Sequence, residues 1–103
     1  MTKVVFEKKG AIFNSFRVTG HTGYEESGKD IVCSAVSSLT IHTVNLICDD
    51  LKCDATVDND DGYIYLSLNE KNEFAELLIK ALEKSLRDVS KQYPRFLKVE
   101  VKV

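Results

Sequence analysis

His21 and Cys33 stand twelve positions apart within the stretch GHTGYEESGKDIVCSAVS, which runs from Gly20 to Ser37. A thiolate attacks carbonyl carbon, and an imidazole can take the thiol proton and later return one to a departing amine. The pair therefore has the parts of a cysteine hydrolase. An apolar helical pattern follows Asp30, which predicts a helix with Cys33 in its first turn. Backbone N–H groups without partners and the positive end of the macrodipole favour a thiolate there. A cysteine that merely packs is the competing reading, and residue types alone leave both open.

Asp30 also has two readings. It suits the N-cap, where its carboxylate would accept from the N–H of Val32 or Cys33; alternatively it is a third group that orients His21. Between the two reactive residues, Thr22, Gly23, Tyr24, Glu25, Glu26, Ser27 and Gly28 are polar and without period, which predicts a loop; a plain surface loop is the default for that composition, and a lid or substrate clamp is the alternative that its place between two reactive residues offers. Tyr24 in that loop is either a surface residue or a substrate contact. Gly20, just ahead of His21, suits a backbone geometry closed to other residues.

These residues need elements to place them. Thr2 to Glu7 reads as a strand, Lys8-Lys9-Gly10 as a turn, and Ile12 to Thr19 as a second strand with Ile12, Phe16 and Val18 on one face. The hairpin delivers His21 at the rim of a sheet. The helix after Asp30 carries Val32, Ala35, Val36, Leu39, Thr43, Leu46 and Ile47 on one face, which puts Cys33 roughly 100° from its middle, at the border of core and solvent. His42 falls on the surface, and Ile31 and Ile41 project away from the stripe toward a surface that a second subunit could share.

Lys52 to Asp58 and Tyr63 to Leu68 form a second hairpin joined by Asn59-Asp60-Asp61-Gly62. That acidic run lacks the spacing of a calcium loop. Asn69 is expected to cap a second helix with an apolar face of Phe74, Leu77, Leu78, Ala81, Leu82, Leu86 and Val89. Pro94 ends it, and Phe96 to Val103 alternates as a last strand. The order ββαββαβ predicts one α+β domain over residues 1–103, a mostly antiparallel sheet with two helices packed on one face.

The chain has 103 residues, a net charge of -2 and a pI near 5.6, which argues against a nucleic-acid partner. Cys33, Cys48 and Cys53 are odd in number and lack C-x-x-C spacing, so no disulfide framework, metal or cofactor is expected. No signal-peptide core is present, and no apolar run of about 20 residues is evident. Both features lead to the expectation of a cytoplasmic protein without a membrane partner.

Gly20-His21, Gly23, Gly28, Asp30-Ile31-Val32-Cys33 and Ala35-Val36-Ser37 together closely resemble the signature of the ribosomal-processing cysteine protease family, Prp. The resemblance implies Cys33 as nucleophile, His21 as general base and acid, and the loop between them as the wall of a substrate groove. It also implies a homodimer, and as substrate the N-terminal extension of a bacterial large-subunit ribosomal protein. Thr22 and Glu25 depart from the small residues frequent at those positions. Two other readings compete: a non-enzymatic dimeric module that binds a ribosomal protein, and a hydrolase of small thioesters or esters using the same dyad.

Overall fold

The computed structural model describes residues 1–20, 29–60 and 62–103, with only the backbone at 29 and 30. His21, Thr22, Gly23, Tyr24, Glu25, Glu26, Ser27 and Gly28 lie outside the described residues, as does Asp61. The elements are β1 (Thr2–Lys9), β2 (Ile12–Thr19), α1 (Lys29–Asn45) with a π-helical turn at Leu46–Asp50, β3 (Ala55–Asp60), β4 (Tyr63–Leu68), α2 (Glu73–Gln92) and β5 (Leu97–Lys102). The expected α+β order is present, and the five strands lie as β3-β4-β2-β1-β5. Three pairings are antiparallel, and β5 runs parallel to β1.

Both helices pack on the same face of the sheet. Val4, Phe6, Phe16, Val18, Ile64, Leu66 and Leu97 share one buried cluster with Val32, Val36 and Ile47 of the first helical segment and with Ala75, Ile79, Leu82 and Leu86 of α2. Each large side chain taken fully out of water there contributes about 1.5–3 kcal/mol. The opposite face is polar: Lys3 and Lys98 both pair with Glu100. The Lys98 hydrogen bond leads the effects that hold the Glu100 carboxyl below the usual carboxylate range.

The first hairpin departs from simple alternation at a bulge. Glu7 pairs with Ser15 but Lys8 pairs with Phe13, so Asn14 is an extra residue on β2. One inserted residue reverses which side chains face inward. Phe13 therefore joins Phe16 and Val18 in the core, edge-on to Phe6 at 6.2 Å between centroids, and Ile12 is only half-buried. The expected inward position of Ile12 is thus taken by its neighbour.

Two helix faces are also displaced from expectation. In α1 and its π-turn the buried stripe is Val32, Cys33, Val36, Thr40, Thr43 and Ile47, rotated roughly 50° toward Cys33 from the stripe read by hydropathy. Thr43 tolerates this because its hydroxyl donates to the Leu39 carbonyl at 2.8 Å. The segment Ile31–Asp50 is, against the sequence expectation, long and apolar enough to cross a membrane by length and composition. Here Val32, Val36 and Ile47 of that segment pack in the core cluster, while Ile31 and Ile41 are exposed. In α2, Ala75, Ile79, Leu82 and Leu86 face the sheet, while Phe74 and Leu77 are 70% and 61% exposed.

The cap of α2 is displaced from expectation as well. Asn72, not Asn69, is the N-cap, and its side chain accepts from the N–H of Ala75 at 3.1 Å. Asn69 instead accepts from the Thr56 hydroxyl and donates to Asp54, and Glu70 accepts from the Asp54 N–H at 2.7 Å. The segment before the helix is thus committed to the start of β3. Asn72→Ala is expected to lower unfolding free energy by about 1 kcal/mol, whereas Asn69→Ala should not fray α2; urea titrations of the two variants check the difference.

The strand expected from Lys52 begins three residues later, at Ala55. Lys52 takes φ +51, a left-handed backbone that ends the helical segment, with Cys53 N–H bonded to the Ile47 carbonyl. Cys53 is consequently buried ahead of β3, and Val57, on the edge strand, is exposed.

Candidate active site

Antiparallel pairing of Lys3 with Thr19 sets the start of β1 beside the end of β2. Pairing of Thr19 with Tyr63 adds the start of β4 to the same end of the sheet. Thr2 alternates in phase with Val4 and Phe6, so its side chain points to the helical face, where it is 1% exposed. Its hydroxyl lies 3.9 Å from Cys33 Sγ. The backbone beneath is fixed by the Thr2 N–H bond to the Phe96 carbonyl at 3.0 Å and by β1–β5 pairing.

Gly20 closes the same corner. Its φ is +77, and a Cβ there would stand 2.3 Å from the Met1 carbonyl oxygen and 3.6 Å from Thr2 Cα. The expectation of a backbone geometry special to glycine is met. The Met1–Thr2 backbone thus lies against Gly20, and the Thr2 hydroxyl reaches Cys33, although Gly20 follows β2 and Cys33 belongs to α1. His21 itself lies outside the described residues.

Cys33 differs from expectation in two respects. It is 7% exposed, not at the border with solvent, because the helix is rotated toward it; it nevertheless stands outside the main apolar cluster. And α1 opens at Lys29, so Asp30 falls inside the first turn instead of at the capping position, and Cys33 is the fifth helical residue. The backbone reason is that the helix extends one residue N-terminal to Asp30. From Cys33, an open cleft of about 240 Å³ begins one turn along α1, lined by Ser37, Ile41, Asn59, Asp60, Gly62, Tyr63 and Ile64.

Cys48 and Cys53 serve a different part of the molecule. Cys53 is in the core cluster and Cys48 packs against it, as expected for small apolar side chains. Burial, followed by the charge of Asp49, pushes the Cys48 thiol up. Burial, then Glu70, Asp54 and Cys48, pushes the Cys53 thiol up. Both are protonated at neutral pH. Iodoacetamide at pH 7.5 is therefore expected to modify Cys33 at least about tenfold faster than either, even though Cys48 is the more exposed thiol. Peptide mass spectrometry reads the order, and equal or reversed rates would contradict a nucleophilic Cys33.

Thr2 and Met1 were not among the residues singled out from sequence. The signal was present in the alternation of β1, where Thr2 takes an inward position ahead of Val4 and Phe6 and is the polar member of that series.

An α+β fold that seats a thiol on a helix against one end of a mixed sheet, beside the strand end that leads into a histidine, has the form of a small cysteine hydrolase. The chain belongs to the Prp family: the family described as Cysteine protease Prp matches residues 1–98. Ribosomal processing cysteine protease Prp of Bacillus subtilis is 29% identical over 96 residues, which cover 86% of each chain. The protein of that description from Staphylococcus aureus is 27% identical over 86 residues, 81% of each chain.

Among solved structures, SMU.848 from Streptococcus mutans superimposes with a TM-score of 0.89 at 28% identity, covering 99% of this chain and 97% of that one. The S. aureus ribosomal processing protease Prp in complex with a substrate peptide gives 0.90 at 23% identity, covering 99% and 100%, a likeness of fold. The chain is accordingly a cysteine protease of this family. Membership favours peptide hydrolysis over the two competing readings, a binding module without catalysis and a hydrolase of small thioesters or esters.

Proposed function

We propose that Cys33 and His21 form the catalytic dyad of an endopeptidase that removes the N-terminal extension of a large-subunit ribosomal protein before or during ribosome assembly. The observation that carries this is the corner in which the Met1–Thr2 backbone lies against Gly20 while the Thr2 hydroxyl reaches Cys33 Sγ. In the sequence His21 directly follows Gly20.

In the reaction, His21 takes the Cys33 proton and the thiolate attacks the scissile carbonyl carbon. Backbone N–H groups at the start of α1, without intrahelical partners, are suited to receive the oxyanion. The C–N bond breaks as the imidazolium protonates the leaving amine, leaving a thioester on Cys33. Water then attacks with His21 as base, and the acid product departs with the thiolate restored.

The ribosomal substrate is supported by the B. subtilis and S. aureus relatives, whose description is ribosomal processing cysteine protease. Glu25, Glu26 and Asp30 give the segment around the dyad an acidic character that suits a basic ribosomal protein. The loop from Thr22 to Ser27 is assigned to the substrate groove, with Gly28 ahead of the helix. Asp30 is assigned the role of a third group that orients His21. We place the enzyme in the cytoplasm as a homodimer; the exposed Ile31, Ile41, Phe74 and Leu77 supply apolar area for a subunit contact.

The test is incubation of the purified protein with the large-subunit ribosomal protein from its own genome that carries an extra N-terminal segment. Intact mass spectrometry should record the loss of that segment at one bond. A substrate that stays whole, or is cut at many bonds, would overturn the assignment.

A further inference from the structure

Thr2 is a buried hydroxyl in a position that β1 otherwise fills with Val4 and Phe6. Among the described residues that hydroxyl has one hydrogen-bond partner, Cys33 Sγ at 3.9 Å, and the two are 31 positions apart in the chain. We propose that Thr2 is a positioning residue of the site, whose hydroxyl donates to the Cys33 sulfur and holds it in its ionised, attacking form. The inference rests on the reading of Cys33 as nucleophile and goes beyond it by naming a group that prepares the sulfur.

Three observations carry it. A thiol and a hydroxyl can each donate to the other, but a thiolate only accepts, so ionisation leaves the Thr2 O–H as the donor. A hydrogen bond to an ionised acceptor is roughly twice as strong as one between neutral groups, so the contact favours the charged sulfur over the neutral one. Secondly, Cys33 is the fifth residue of α1, beyond the first turn in which the helix dipole acts most strongly. A hydroxyl at this point supplies stabilisation that the helix end supplies less of.

The third observation is rigidity. Thr2 is carried on the sheet, with its N–H bonded to the Phe96 carbonyl and its Cα paired with Leu97, and a β-branched side chain has few rotamers. Its hydroxyl is therefore presented to the sulfur by an element that does not have to order on binding.

Thr2→Val keeps the shape and removes the donor; Thr2→Ser keeps the donor. The measurement is the rate of iodoacetamide modification of Cys33, read by peptide mass spectrometry from pH 5 to 10, together with kcat/KM for peptide cleavage over the same range. Thr2→Val should lower both rates about three- to tenfold at pH 7, with the loss vanishing at high pH where the thiol is ionised in either protein. Thr2→Ser should restore the parent profile. If Thr2→Val proves unfolded by circular dichroism, Thr2→Ala, which introduces no new bulk, must show the same displacement to higher pH.

A profile identical to the parent overturns the proposal. So does a rate lowered by one factor at every pH, which is the mark of packing alone. Cleavage retained by Cys33→Ala would instead remove the nucleophile reading, while the alkylation profile would still decide whether the hydroxyl acts on the sulfur.

Discussion

Cys33→Ala is expected to lower kcat for cleavage of a peptide spanning the ribosomal extension by at least about 10⁴-fold while the protein stays folded. The two halves of that result have separate causes. Activity falls because the thiolate is the atom that forms the acyl bond, and alanine offers no replacement. The fold survives because Cys33 lies outside the main apolar cluster, so its truncation costs about 1 kcal/mol of packing. His21→Ala should reduce kcat nearly as far, since an unassisted thiol has no proton acceptor. Because the two act as one unit, the double variant should be hardly worse than either single one. Lost cleavage with cooperative unfolding retained and a melting temperature lowered by no more than about 8 °C is the signature; cleavage retained by either single variant would contradict the dyad.

Gly20→Ala is expected to destabilise the protein by about 2–4 kcal/mol, lowering the melting temperature by about 10 °C or more. Two penalties combine there. Its φ of +77 is strained for any residue with a Cβ, and that Cβ would stand 2.3 Å from the Met1 carbonyl oxygen, a backbone atom with no flexible side chain to give way. Relief requires the start of β1 to move, which draws Thr2 away from Cys33. Cleavage should therefore fall more than about tenfold even at temperatures where the variant is folded. Gly10→Ala is the control: φ is +65 but nothing lies within 4 Å of its Cβ position, so the loss should be about 1 kcal/mol with activity retained. Equal behaviour of the two variants would show that the corner at Met1 and Thr2 does not matter to the site.

The strands were the most legible part of the chain. β2 spans Ile12–Thr19 as read, and Ile64, Leu66 and Leu68 of β4 point inward as their alternation requires. What alternation could not reveal was the bulge at Asn14, because an extra residue leaves no mark in composition and shifts Phe13 into the core only through its pairing with Lys8. The parallel pairing of β5 with β1 is equally silent in local sequence.

Helix phase was less legible, for a physical reason visible in each case. Thr40 and Thr43 are buried in α1; hydropathy does not count a threonine such as Thr43, whose hydroxyl bonds back to the Leu39 carbonyl, and nothing in the local sequence marks Thr40, whose buried hydroxyl has no partner among the described residues. In α2 apolar residues occupy two faces. The narrower face of Ala75, Ile79, Leu82 and Leu86 meets the sheet, with the small Ala75 permitting close approach, while the bulkier Phe74 and Leu77 stay outside. Of the site, the thiol and its helix could be read from one stretch, but the approach of Thr2 depends on contacts across 31 positions that only the assembled sheet provides.

The account turns on Cys33 Sγ being the atom that carries the acyl group. The direct measurement is a rapid acid quench of enzyme mixed with the extended ribosomal protein, followed by peptide mapping of any covalent adduct. A thioester linking Cys33 to the acyl half of the cleaved substrate, formed and lost at rates consistent with turnover, is the predicted result. Cleavage that proceeds with the adduct on another residue, or with none on Cys33 at any quench time, would contradict it.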